Sequence, residues 1–265
     1  MIRVAVLVHD GRADAADLGR DVTAWLEARG HEVVPAERDE GHLDLVVAIG
    51  GDGTVLRAAH RAVEADAAII GLNLGQLGYL AEVEPSAWES ALEGFLAGRH
   101  RIEARMMVQG VIDPGRALTP ALNEVVIEKP TSGHTVRLGV DIDDEFFTSY
   151  VADGLILATP TGSTAYSLSA RGPIVAPSHR ALLLTPVSPH TLFDRSLVLG
   201  PESVVRVKVL GDRAATVSVD GQPSEPVPPG GSVTVRATSR PARFVTFGGR
   251  DFHQILKAKF GLNDR

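Results

Sequence analysis

The sequence contains no cysteine. That excludes disulfides, thiolate zinc sites and a cysteine nucleophile. An excess of basic charge is also missing: the formal net charge is −7 at pH 7, which argues against a general nucleic-acid binder. No apolar run approaches a membrane span, and the opening MIRVAVLVHDG is a short apolar stretch broken by charge and glycine, unlike a signal peptide. The chain therefore reads as soluble and cytoplasmic, with neither nucleic acid nor membrane as a partner. Several catalytic signatures are absent as well. There is no G-x-x-x-x-G-K-[ST], so this is not a P-loop enzyme, and no G-x-G-x-x-G opens the first strand–helix unit, so a hydride-transferring dinucleotide enzyme is unsupported. Neither H-E-x-x-H nor G-x-S-x-G occurs. The 27 glycines and 16 prolines are spread along the 265 residues, which suggests many turns but no low-complexity segment.

What is present is organised around residues 43–56, LDLVVAIGGDGTVL. An apolar strand runs straight into Gly50-Gly51-Asp52-Gly53-Thr54, and a helical pattern follows at once. Glycines let a backbone approach a ligand closely, and a helix start offers unpaired N–H groups and a positive dipole end. Such a turn suits phosphate. A carboxylate inside it repels phosphate, so Asp52 makes sense if it takes a proton from a hydroxyl or helps to hold a metal ion beside the phosphates. The plainer reading, a turn former or helix N-cap, is the usual one for an isolated G-D-G.

Apolar runs at 2–8, 31–34, 43–49 and 67–72 read as strands. Leu18, Val22, Trp25 and Leu26 fall at helical spacing, Gly30 supplies a stop, and Ser86 with Glu89 makes a capping box ahead of Trp88, Leu92 and Phe95. This alternation predicts an α/β N-terminal domain with a Rossmann-like parallel sheet over residues 1–98. From about Arg99 the helical period fades and period-two runs take over, as in 204–209, 216–219 and 232–235, separated by turns at 113–115, 220–223 and 228–231. These predict an all-β C-terminal domain over 99–248. Phe252, Ile255, Leu256 and Phe260 regain helical spacing and predict a last helix, within 249–265, that returns to the first domain.

Three further islands carry chemistry. Residues 71–80, GLNLGQLGYL, form a glycine-rich loop with Asn73 directly after a strand. Asn123-Glu124 opens another strand; an amide beside a carboxylate can grip a ribose or an adenine edge through several hydrogen bonds, though a solvent-facing turn is the dull alternative. The stretch 153–170 rises through a strand to a turn crowded with hydroxyls, TPTGSTAYS, which suits a polar ligand such as a nucleotide, with Ala165 and Tyr166 available to a base. Helix capping explains part of that run but not all of it. A lone His190 reads as a turn residue.

Together these islands resemble the NAD kinase family. The resemblance rests on GGDGT (50–54), GLNLGQLGYL (71–80), LNEVVI (122–127) and DGLILATPTGSTAYSLSARGPI (153–174), with TPVSPHTLFDRSLVL (185–199) fitting in place. GGDGT alone is shared with diacylglycerol-type and sphingosine-type lipid kinases and, more loosely, with phosphofructokinase-like proteins. The resemblance implies transfer of the terminal phosphoryl group of ATP, or of polyphosphate, to the 2′-hydroxyl of the adenosine ribose of NAD, giving NADP. It implies Asp52 as the proton acceptor and Gly50, Gly51 and Gly53 as room for the phosphates. Mg²⁺ would be held chiefly by the nucleotide phosphates and water, with at most one carboxylate from the protein. Asn123 and Glu124 would grip the adenosine part, and Asp153, Thr161, Thr164, Ala165, Tyr166, Ser167 and Ser169 the rest of the dinucleotide. Asn73, Arg57, His134 and Gln222 occupy further positions at which ligand contact is expected. A homodimer or homotetramer is implied, and the short N-terminal segment suggests a minimal bacterial-type enzyme without regulatory extensions. One departure stands out: the family commonly has Gly-Gly-Pro where this chain has Arg171-Gly172-Pro173. Two other readings stay open, a lipid kinase and a non-catalytic dinucleotide sensor.

Overall fold

The computed structural model describes residues 1–35, 41–75, 78–248 and 251–262. Gln76 and Leu77 of the second loop motif lie outside the described residues. In chain order the elements are β1 (Arg3–Val8), α1 (Ala13–Ala28), β2 (Glu32–Pro35), β3 (Leu45–Gly50), α2 (Asp52–Ala65), β4 (Ala68–Asn73), α3 (Trp88–Leu96) and β5 (Arg101–Arg105). There follow β6 (Val108–Ile112), β7 (Arg116–Ala117), β8 (Glu124–Glu128), β9 (Val136–Ile142), β10 (Glu145–Ala152), β11 (Gly154–Ala158) and the single turn α4 (Tyr166–Ser169). The chain continues with β12 (Leu182–Val187), β13 (Leu197–Leu199), β14 (Val205–Leu210), β15 (Ala215–Val219), β16 (Glu225–Val227), β17 (Ser232–Ala237), β18 (Ala242–Thr246) and α5 (Phe252–Phe260).

Two compact units result, one of Met1–Ala104 with the C-terminal segment from Ala242, the other of Arg105–Pro241. The first holds a sheet of order β2-β1-β3-β4-β18-β5, in which β2, β1, β3, β4 and β18 run parallel to one another. β3 and β4 are buried at every residue, as their unbroken apolar runs require of strands covered on both faces. Helix α1 turns Ala15, Val22 and Leu26 inward at helical spacing, and α2 does so with Val55, Ala58, Ala59 and Ala62. Not only α5 but also β18 comes back to this unit: Arg243 pairs with Ala68 and Phe244 with Ile69. The capping box is not formed. Pro85 starts a 3-10 turn that already contains Ser86, so Ala87 is the N-cap of α3 and no side chain caps it.

The second unit is antiparallel throughout, in two six-stranded sheets of order β10-β9-β14-β17-β6-β7 and β13-β12-β11-β8-β15-β16. Strands such as β14 alternate buried and exposed residues, the signature of a sheet with one covered face. Leu138, Val140, Val205 and Val233 from one sheet and Ile127, Leu157, Leu184 and Val217 from the other form one core. Each fully buried side chain of this kind stabilises the fold by about 1.5–3 kcal/mol. The second sheet is covered on its other face too, where Val126, Ile156, Ala158 and Leu183 cluster. Among the described residues no helix is long and apolar enough to cross a membrane.

Candidate active site

In the first unit the β3–β4 register sets Gly50 opposite Asn73. Two of the loop motifs therefore leave the sheet side by side at the carboxyl ends of neighbouring strands, where parallel sheets bind ligands. Asp52 is the first residue of α2, with Gly51 as the N-cap, so the helix starts two residues before Thr54. Its carboxylate does not cap that helix. Oδ2 accepts the backbone N–H of Tyr79 and Oδ1 that of Leu80, each at 3.0 Å. Among the described residues, a Cβ added to Gly51 or Gly53 would meet no atom within 4 Å apart from its chain neighbours and the helix's own backbone, which leaves space beside the helix start. Gly50 is different, because a Cβ there would overlap the Thr54 hydroxyl. Asn73 is buried, and its Oδ1 accepts the N–H of Gly75 at 3.3 Å, an Asx turn that shapes the second loop. Arg57 is exposed and pairs with Asp10 at 2.5 Å.

In the second unit, β8 and β11 pair so that Ala158 stands opposite Glu124, and the Thr159 N–H donates to the Asn123 carbonyl at 2.8 Å. That register brings the Asn-Glu island against the hydroxyl-rich turn. A Cβ on Gly162 would stand 2.6 Å from the Asn123 carbonyl carbon, so the glycine is what lets the two meet. Glu124 is 6% exposed, and its Oε2 has no hydrogen-bond partner among the described residues. Burial pushes its carboxyl up to about 8, the charge of Asp220 adds to this, and the Tyr166 backbone N–H pulls the other way. At neutral pH the group thus carries a proton and can both donate and accept. Asp153 pairs with Lys129 at 2.6 Å. The Tyr166 phenol is raised above its ordinary range by burial first, then by the charges of Glu128, Asp153 and Glu124. Surroundings this acidic welcome the donor groups of a ribose or an adenine.

The turn itself is a 3-10 segment, Thr161–Thr164, leading into α4. Thr161 is buried, and its carbonyl accepts the Thr164 hydroxyl at 3.2 Å. Ser167 is fully buried, its hydroxyl 3.2 Å from that of Thr185, so it is occupied internally rather than offered to solvent. Tyr166 and Ser169 line a cavity of about 480 Å³ with Arg171, Ser188, Thr191 and Arg195. Ala165, the N-cap of α4, is partly exposed. Arg171 stands in a left-handed conformation, φ 66°, at the position where the resembled family commonly has glycine. His134 and Gln222 are exposed on turns. His190 is exposed too, its backbone N–H bonded to the Val151 carbonyl at 2.7 Å.

Asp220 was read from sequence as part of a turn and nothing more. In the structure its carboxylate accepts the N–H groups of Leu122, Asn123 and Glu124 at 2.8–2.9 Å. The pairing of β15 with β8 sets it there, and no local pattern announces a partner nearly a hundred residues away. The segment Gly78–Leu80 was likewise legible only as a loop.

A glycine turn at the carboxyl edge of a parallel sheet, with an oriented carboxylate at a helix start, defines a phosphate-handling protein of the phosphotransferase kind. The family model described as the ATP-NAD kinase N-terminal domain matches residues 36–100, and that of the ATP-NAD kinase C-terminal domain matches residues 122–247. The chain belongs to the ATP-NAD kinase family. It is 42% identical over 278 residues to the NAD kinase of Heliobacterium modesticaldum, covering 98% of each chain. Among solved structures it resembles a yeast NADH kinase complexed with NADH, with a TM-score of 0.89, 25% identity and coverage of 100% of this chain and 89% of that one. It also resembles an NAD kinase from Archaeoglobus fulgidus in complex with ATP, with a TM-score of 0.76, 25% identity and coverage of 98% of both.

Proposed function

We infer that this chain is an NAD kinase, which moves the terminal phosphoryl group of ATP onto the 2′-hydroxyl of the adenosine ribose of NAD and yields NADP. The observation that carries the assignment of roles is the Asp52 carboxylate, oriented through both oxygens at the start of α2 beside glycines whose missing Cβ leaves open space. Asp52 accepts the proton of the attacking hydroxyl. Phosphoryl transfer asks little covalent chemistry of a protein, so positioning and charge neutralisation make up the rest. Asn123 and Glu124 hold the adenosine, with the buried Glu124 carboxyl offering its unspent Oε2. Tyr166, Asp153 and the 161–169 turn serve the remainder of the dinucleotide.

Mg²⁺ enters this reading with the nucleotide. Among the described residues no group of three or more acidic or histidine side chains could hold a metal ion. In this reading the ion is carried largely by phosphates and water. When bound, it would neutralise charge on the phosphates, and Asp52 is the one carboxylate in the Gly50–Thr54 turn that would help to hold it.

The oligomer is part of the proposal. Phe146 on β10 is 69% exposed, and beside it Phe147 packs edge-on against Phe193 at 5.7 Å, both of them still exposed. β10 is also an edge strand. An apolar edge of this kind fits self-association through the β unit.

The test is direct. Purified protein is incubated with ATP, Mg²⁺ and either NAD, NADH or diacylglycerol, with polyphosphate replacing ATP in a further arm, and NADP is read with an NADP-specific dehydrogenase. NADP formation is expected. Phosphorylated lipid with no NADP would overturn the reading in favour of a lipid kinase. Asp52→Asn is expected to bind NAD as the wild type does and to lose about 10²- to 10⁴-fold in turnover. Wild-type turnover by that variant would remove Asp52 from the role of base.

A further inference from the structure

A carboxylate on the first residue of a helix is free to turn about two side-chain bonds unless something holds it. In Asp52 each oxygen is held separately, Oδ2 by the Tyr79 amide and Oδ1 by the Leu80 amide, both at 3.0 Å. A carboxylate offers about four acceptor positions. Two are used here, and each oxygen keeps one for an incoming proton. The approach that makes this possible depends on Gly78, where a Cβ would overlap Asp52 Oδ1 and stand 3.1 Å from its Cγ.

The same short segment is backed from the far end of the chain. Lys259 Nζ of α5 lies 4.5 Å above the centroid of the Tyr79 ring, and the Phe252 ring, also on α5, lies 6.5 Å from it. The line of contact therefore runs from the Asp52 carboxylate to the 79–80 backbone, to the Tyr79 ring, to the C-terminal helix. All of it lies within one compact unit.

We propose that Gly78, Tyr79 and Leu80, braced by Lys259 of the C-terminal helix, form the positioning element that aims the Asp52 carboxylate. This rests on the reading of Asp52 as proton acceptor. Gly78 and Lys259 are positioning residues: they act on the reaction through Asp52. The physical reason is the steep dependence of such a reaction on placement, since a shift of about 1 Å in a reacting group costs about 10²-fold in rate.

The experiment uses the full chain and three variants, Gly78→Ala, Lys259→Gln and Lys259→Arg, with steady-state kinetics, calorimetric titration of NAD and thermal unfolding. Gly78→Ala is expected to lose about 100-fold in kcat while its Kd for NAD stays within about twofold. Lys259→Gln removes the cation from the ring and is expected to lose about two- to fivefold in kcat, with KM for NAD unchanged. Lys259→Arg keeps a cation over the ring and is expected to restore the wild-type rate. Wild-type kcat in Gly78→Ala, equal behaviour of the two Lys259 variants, or losses that appear in NAD affinity rather than in kcat would each overturn the proposal. If Gly78→Ala does not fold, the Lys259 pair decides alone. Failure of the underlying reading shows separately: Asp52→Asn would then turn over normally, whereas a crippled Asp52→Asn beside an unaffected Gly78→Ala would sink only the positioning role.

Discussion

The carboxylate of Asp220 accepts the backbone N–H of Asn123 at 2.8 Å, across 97 residues of chain. The Glu124 N–H reaches the same oxygen at 2.9 Å, the Leu122 N–H reaches the other at 2.8 Å, and the Asp220 N–H donates back to the Glu124 carbonyl at 3.1 Å. Asp220 and Gly221 are the central residues of a turn closed by the Gln222 N–H on the Val219 carbonyl, and both have positive φ, 47° and 71°. Asp and Gly are the residues such a turn favours. One hairpin tip thus anchors the start of β8 and, with it, the two side chains proposed to hold the adenosine.

Asp220→Ala removes the acceptor of three amides. Hydrogen bonds to a charged group contribute about 1.5–3 kcal/mol, so a loss of stability in that range is expected, together with weaker NAD binding. Urea unfolding and calorimetric titration of NAD measure the two effects. A variant as stable as the wild type would show that water replaces the carboxylate at no cost.

Glu124 makes stability depend on pH. Its carboxyl is raised from 4.5 to about 8 in the folded protein. Between those values the folded protein keeps a proton that the unfolded chain has released, so unfolding free energy falls as pH rises. The contribution is whole below the lower value and gone once pH has passed the upper one. Glu124→Gln cannot ionise. Its stability relative to the wild type is expected to grow between about pH 5 and about pH 9, by up to about 1.4 kcal/mol per pH unit. Urea midpoints at both ends check this, and a constant difference between the two proteins would contradict it.

Gly162→Ala drives a methyl into the Asn123 backbone. Overpacking of this kind costs about 1–3 kcal/mol. The expected result is a lower unfolding midpoint and a raised KM for NAD, because the strand end that carries Asn123 and Glu124 must move aside.

Gly53→Ala should separate folding from function. The position is in the first turn of α2, and among the described residues a Cβ there would touch no atom beyond its chain neighbours and the helix's own backbone. Alanine in place of a helical glycine stabilises by about 0.5–1 kcal/mol, so the unfolding midpoint should rise. Turnover or ATP affinity should nevertheless fall, because the space is proposed to belong to phosphate. A variant that is more stable and fully active would place the phosphates elsewhere.

Much of the fold was legible because its periods are clean. The unbroken apolar runs of β3 and β4 announce strands buried on both faces, and the alternation in β14 announces a sheet covered on one. The candidate site residues were legible as types: a carboxylate among glycines, an Asn-Glu pair at a strand start, hydroxyls crowded after β11. Their partners were not. Ser86 looked like a cap, but Pro85 had already begun a 3-10 turn. Ser167 is legible as a hydroxyl in that run, but not as the neighbour of Thr185, whose hydroxyl lies 3.2 Å away. β18 carried no sign that it would leave the β unit's sheets and pair with β4.

What the linear order of residues determined about this protein is its division into an α/β part and a β part, and the chemistry it has available. Those follow from side-chain period and residue type, which are properties of neighbours along the chain. What only the tertiary structure decided is which groups meet: Leu80 with Asp52, Asp220 with Asn123, Gly162 with the same asparagine, Lys259 with Tyr79. Strand register and the packing of a returning helix set those meetings. They depend on contacts between residues tens to hundreds of positions apart, which no local pattern encodes.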